Sequence, residues 1–213
     1  VSIFCPSDQG VVVARGRTRE FDRDAALEAA MRLFWLKGFT GTAVAELCDA
    51  MGIASPSMYA AFGNKEALYE QALAHFSETR GMPIWRRIME AKSARETVET
   101  LFVCTIESYT NTNQPLGCMS TLAVVDYATS PRLEQVIKAG RESTYQMLRD
   151  KFSGAALSGE FPADADIDSL ARVYLTLLQG ISIQARDGAS TEALVAMVRS
   201  MMVGWDTITQ QTR

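Results

Sequence analysis

The chain has one histidine, His75, and four cysteines, Cys5, Cys48, Cys104 and Cys118, among 213 residues. That shortage removes most catalytic machines. A Ser-His-Asp or Cys-His arrangement would have to use His75, which sits beside Phe76 on a helical stretch with no nucleophile nearby in sequence. A packing or surface histidine is the ordinary reading there. The cysteines lack metal-ligand spacing and do not fall into pairs, which fits a reducing cytoplasm. No glycine-rich loop joins a strand to a helix, and strand signals are missing altogether. No cofactor, metal or catalytic residue is therefore expected. Nor does any apolar run approach the roughly 20 residues of a membrane span. Residues 1–14, VSIFCPSDQGVVVA, lack the charged n-region and apolar core of a signal peptide and read as a disordered tail. Excess positive charge is lacking too. A net charge of −4 argues against a protein that coats nucleic acid, but leaves room for a small basic face.

What is present is helical periodicity over a chain that is 47% hydrophobic, enough for a real core. The most informative stretch is Thr42 to Lys65, TAVAELCDAMGIASPSMYAAFGNK. Val44, Leu47, Cys48 and Met51 share one helical face, and Gly52 supplies a tight turn. Ile53 returns to the core, Ser55 is a candidate N-cap, and Pro56 is compatible with a first helical turn. Met58 and Phe62 point inward while Ser57 and Tyr59 are left outside. Two helices about such a turn make a helix-turn-helix. Ahead of it, Asp22 caps a helix whose inner stripe is Leu27, Ala30, Met31 and Phe34, ending at Gly38. Thr42 is the expected cap of the next helix, where its hydroxyl could also hold a phosphate. Arg15, Arg17 and Arg19 alternate in the leader. They are either a solvated lead-in or an arm that touches phosphates or a minor groove, and their place just before the helical unit favours the arm. Asn64 caps a long helix carrying Leu68, Ala72 and Phe76, with a kink expected near Met82 and Pro83.

The leader RGRTREFD, the stretch AMRLFWLKGF and the run GTAVAELCDAMGIASPSMYAAFGNKEALY together resemble the DNA-binding domain of TetR-family regulators, from about Arg17 to Leu73. The resemblance implies an all-α fold, with a helix-turn-helix DNA-binding domain at 15–76 (motif 42–62) and a helical ligand-binding and dimerisation domain at 77–213. It implies phosphate contacts from Thr42, Tyr59 and Lys65, with Ser55, Pro56 and Ser57 nearest the base edges. Ala61 stands where many relatives carry His or Tyr. With no Arg, Asn or Gln on this helix, direct base readout is sparse, and specificity leans on DNA shape and on Arg17 and Arg19.

Beyond Ser93 the residues speak for themselves. Ser93 with Glu96 has capping-box spacing. Ser130-Pro131 opens a helix expected to fray near Phe152, with a loop from Ser153 to Ala163. Two strongly striped helices close the chain. Their stripes suggest a dimer interface of Tyr174, Leu178, Ile181, Leu194, Met197, Met201 and Trp205, with a plain monomer core as the alternative. Pocket candidates are Trp85, Phe102, Tyr109, Cys118, Tyr127 and Tyr174. Cys118, at an expected helix start, is either a packed small residue or a redox- or electrophile-sensing thiol. The reading favoured is a cytoplasmic, homodimeric repressor of double-stranded operator DNA, released by a small-molecule effector. The alternative is a repressor switched through Cys118, and outside that class lies a helical ligand-binding protein or enzyme without DNA affinity.

Overall fold

The computed structural model describes residues 21–123 and 130–210. The 1–14 tail, Arg17, Arg19 and Tyr127 lie outside them. Among the described residues every regular element is helical.

Helix α1, Arg23–Lys37, starts where the Asp22 carboxylate accepts the N–H groups of Asp24 and Ala25. It packs on α2 (Val44–Met51) and α4 (Lys65–Phe76), and α3 (Ser55–Phe62) packs on those two. Gly52 adopts φ +66°, a left-handed conformation that costs side-chain-bearing residues energy, and so ends α2. Ala30, Met31, Phe34, Leu47, Met58 and Leu68 are buried at this centre. Tyr69 meets Phe34 edge-on at 4.9 Å, and Phe76 meets Trp35 at 4.8 Å. Each such side chain contributes about 1.5–3 kcal/mol on burial. We call α1–α4 the head.

Two expected caps are corrected. Thr42 precedes the N-cap, which is Ala43, and its hydroxyl donates to the Gly38 carbonyl at 2.7 Å instead. The start of α2 is served by Glu46, whose Oε2 accepts the Ala43 N–H at 3.0 Å. Ser55 is the first residue of α3 and Ala54 its N-cap, so Ser55 turns its hydroxyl to the Cys48 sulfur at 3.4 Å.

The kink expected near Pro83 takes the form of a π turn. Ser77–Gly81 form it between α4 and α5 (Met82–Glu90), and the Met82 N–H reaches the Ser77 carbonyl. Pro83 has no N–H and its ring crowds the carbonyl four residues back, so a wider turn there carries the helix past it. The inner face accordingly changes phase: Leu68, Ala72 and Phe76 are buried in α4, then Ile84 and Trp85 are half-buried and Ile88 is buried in α5.

The remaining helices form the body: α6 (Ala94–Tyr109), α7 (Met119–Leu122), α8 (Pro131–Leu157), α9 (Ile167–Arg186), α10 (Thr191–Val203) and α11 (Trp205–Gln210). Helix α8 runs five residues into the segment expected to be a loop, ending at Leu157, and the loop starts at Ser158. Gly154 costs it about 1 kcal/mol, but buried Phe152 and Ala155 on either side anchor the turn. The final helix breaks at Gly204, so Trp205 begins α11. Met119, Ala123, Leu133 and Ile137 from the body are continuous with the head core.

Candidate nucleic-acid interface and effector cavity

The outward face of α3 carries Pro56, Tyr59 and Ala60, all exposed, with Ser55 and Ser57 half-buried beside them. Tyr59 is 50% exposed while Met58 and Phe62 fix the helix from beneath at 0% and 3%. A rigidly held helix thus presents a free phenol. Lys65, at the first position of α4, places its ammonium 4.4 Å from the centroid of the Phe39 ring. Burial lowers its pKa from the ordinary lysine value. Thr42, by contrast, is 1% exposed with its hydroxyl proton committed to Gly38, so its side chain offers no free donor for a phosphate. Arg23 was not anticipated from the sequence: its guanidinium lies 4.7 Å above the Phe62 ring and donates to Gln71.

A cavity of about 310 Å³ opens between α4, the π turn and the body helices. Trp85, Tyr109 and Cys118 line it as the sequence suggested. Phe102 and Tyr174 do not. They are buried in the body core, where Tyr174 meets Phe152 at 5.6 Å and Trp205 at 5.6 Å. Arg80 and Arg141, both missed by sequence reasoning, also line the cavity. Arg141 donates to the carbonyls of Thr121 and Ala123.

Cys118 donates its N–H to the Ser182 hydroxyl at 2.9 Å, and Gly117 lies so close to α9 that a Cβ there would stand 2.7 Å from the Ser182 carbonyl. Burial above all, and then the neighbouring Cys118 thiol, holds the Tyr109 hydroxyl well above its ordinary pKa. The helix that Cys118 caps is only four residues long, too short for the dipole that would activate a thiol. Burial raises the Cys104 thiol in turn. The geometry gives the redox switch no support.

Head and body are joined by arginines. Glu28 of α1 accepts from Arg32 Nε at 3.0 Å, from Arg80 Nη2 at 2.7 Å and from His75 Nε2 at 3.0 Å. Burial would raise the Glu28 pKa, but the hydrogen bonds from Arg32 and His75 and the charges of Arg80 and Arg32 outweigh it and hold it below 4.5. Arg80 Nε also donates to Gln114 at 3.0 Å, and Arg32 to the Asn113 carbonyl at 2.9 Å. On the other flank Arg186, at the end of α9, donates to the Trp35 and Leu36 carbonyls. These are the unpaired carbonyls at the end of α1, where a cation also favours the helix dipole.

The residues expected at a dimer interface are mostly spent inside the subunit. Tyr174, Leu178, Ile181, Leu194 and Trp205 are 6% exposed or less, whereas Met197 and Met201 remain half-buried. The outer sides of the same helices carry a second stripe. Val173 and Ile183 on α9 are 42% and 52% exposed, with Thr176 and Gly180 between them, and Ala193, Ala196, Ser200 and Val203 line up on α10. The sequence hides this stripe, because Asp168, Arg172, Gln179 and Arg186 make the side of α9 away from its core mostly polar.

Residues 26–72 match the family model for bacterial regulatory proteins of the tetR family. The chain is 31% identical to the HTH-type transcriptional repressor ComR of Escherichia coli (strain K12), over 93% of this chain and 96% of that one. The chain belongs to the TetR family. It is also 27% identical to the HTH-type transcriptional repressor BdcR of the same organism, over 85% of this chain and 87% of that one. Among solved structures, a cysteine mutant of the TetR family regulator CifR, complexed with 26-bp double-strand operator DNA, superposes with a TM-score of 0.85. It shares 37% identity over 89% of this chain and 100% of that one. As in other TetR-family chains, the conserved architecture is a helix-turn-helix head on a helical body.

Proposed function

We propose that this chain is a cytoplasmic, dimeric transcriptional repressor that grips a palindromic operator and is released by a small molecule. One observation carries the reading: α3 shows an exposed Tyr59 on a fixed helix, and the head bearing it is tied through Glu28 and Arg80 to the wall of an apolar cavity. Tyr59 and Lys65 would hold phosphates on either side of α3, and Ser55, Pro56 and Ser57 would approach the base edges. Thr42 would help only by fixing the end of α1, leaving the start of α2 to backbone groups. A second copy would pack against the outer stripe of α9 and α10, setting two α3 helices about 34–36 Å apart, one turn of DNA or a multiple. The repressors ComR and BdcR and the CifR–operator complex support the DNA role.

The test is a salt titration of binding to DNA from upstream of the gene. Affinity should fall steeply with salt, and Lys65→Ala should reduce the slope by about one unit. Equal binding to unrelated DNA at all salt concentrations would overturn the reading.

A further inference from the structure

The cavity wall holds three charged side chains, Glu70, Arg80 and Arg141. Glu70 is already met from outside by Arg132, whose Nε and Nη2 lie 2.5 and 2.8 Å from its two oxygens. Arg80 is shared between the cavity and Glu28. Arg141 is different: it is half-buried, its hydrogen bonds go to two backbone carbonyls, and among the described residues no carboxylate pairs with it. A guanidinium in a partly desolvated wall with only carbonyl partners among the described residues is costly, and its planar fork suits a bidentate carboxylate. The rest of the wall mixes apolar side chains, Ile84, Trp85 and Leu178 among them, with hydroxyl groups such as Thr105 and Ser108. Its volume of about 310 Å³ stands at the small end of small-molecule sites.

We propose that the effector is a small organic carboxylate with an apolar body, its charged end taken by Arg141 and Arg80, and that it signals by drawing Arg80 away from Glu28. This rests on the repressor reading for its consequence on DNA, but not for the binding itself. The coupling is physical. Arg80 can direct its Nη2 at Glu28 or at a ligand, and a ligand that prefers the second arrangement weakens the tie between α1 and the π turn. Arg32 and His75 remain on Glu28, so the head loosens at this seam without losing the partners that keep Glu28 ionised.

The experiment uses the full chain and three probes of one shape: 4-phenylbutyrate, its primary amide and 4-phenylbutylamine. Calorimetry should show the acid binding about tenfold or more tighter than the amide and the amine. Arg141→Gln should erase that preference and Arg141→Lys should keep only part of it, whereas a merely structural role in holding Thr121 and Ala123 would weaken all three probes alike. In operator titrations, saturating acid should weaken DNA binding about tenfold in the wild type and less than about twofold in Arg80→Gln. Amide or amine binding as tightly as acid, or no binding by any probe, overturns the carboxylate. Equal release in wild type and Arg80→Gln overturns the Arg80 link. Absence of operator affinity without any probe would sink the repressor reading alone, because the calorimetric comparison stands without DNA.

Discussion

A hydroxyl decides what Tyr59 does. Half of this side chain is exposed and nothing in the head depends on its oxygen, so Tyr59→Phe should leave the melting temperature unchanged. It should weaken operator binding by about ten- to a hundredfold, the worth of one hydrogen bond to a charged group, as measured by fluorescence anisotropy. Glu28 makes the opposite case, since it sits under three cationic or donor groups and its pKa is held below 4.5. A carboxyl that is more acidic in the folded than the unfolded chain stabilises the fold above the unfolded pKa and loses that contribution as pH falls through the lower folded value. The melting-temperature advantage of wild type over Glu28→Gln should therefore be full at neutral pH and shrink below pH 4.5. A constant gap down to strongly acidic pH would contradict the network. Neither Arg80 nor Arg141 was legible in the sequence. Arg80 finds Glu28 across 52 residues and Gln114 across 34, and no local pattern records such separations.

At the scale of elements, the local rules served well where one helix end depends only on its own neighbours. Asp22, Asn64, Ser93 and Ser130 each accept a backbone N–H at a helix start, as expected. The rules failed at Thr42 and Ser55, because each stands one residue off the true N-cap, Ala43 and Ala54, and its hydroxyl turns to a nearby group instead, Gly38 in one case and Cys48 in the other. The turn between α2 and α3 hangs on Gly52. Replacing it by valine forces a branched side chain to φ +66°, which should cost about 1–2 kcal/mol or more. Urea unfolding should show that loss, and operator affinity should fall with it because α3 loses its fixed angle. The division of α9 into an inner and an outer stripe was harder to read. Only Val173 and Ile183 interrupt the polar side made by Asp168, Arg172, Thr176 and Gln179, so periodicity shows the inner stripe of Tyr174 and Leu178 and passes over the outer one.

For the whole molecule, the outer stripe predicts assembly. Gly180 has open space where a Cβ would stand, so Gly180→Arg should be tolerated by the subunit yet block a second copy. Light scattering should then show a monomer with an unchanged helical circular dichroism spectrum. Operator affinity should drop by about a hundredfold, as the second half-site no longer adds to the first. A dimer that survives both Gly180→Arg and Ile183→Arg would place the interface elsewhere.

The π turn at Ser77–Gly81 has one more consequence, for length variation. A π turn is an α-helix with one residue too many, and removing a residue restores the α repeat. Residues on either side then rotate by about 100° relative to one another. Deleting Glu78 or Thr79, neither of which lines the cavity, would leave the head intact but swing Trp85 and Ile88 off their present side of α5. The chain can thus change which side chains meet the cavity without altering one of them, and relatives that differ by one residue here should differ in what they admit.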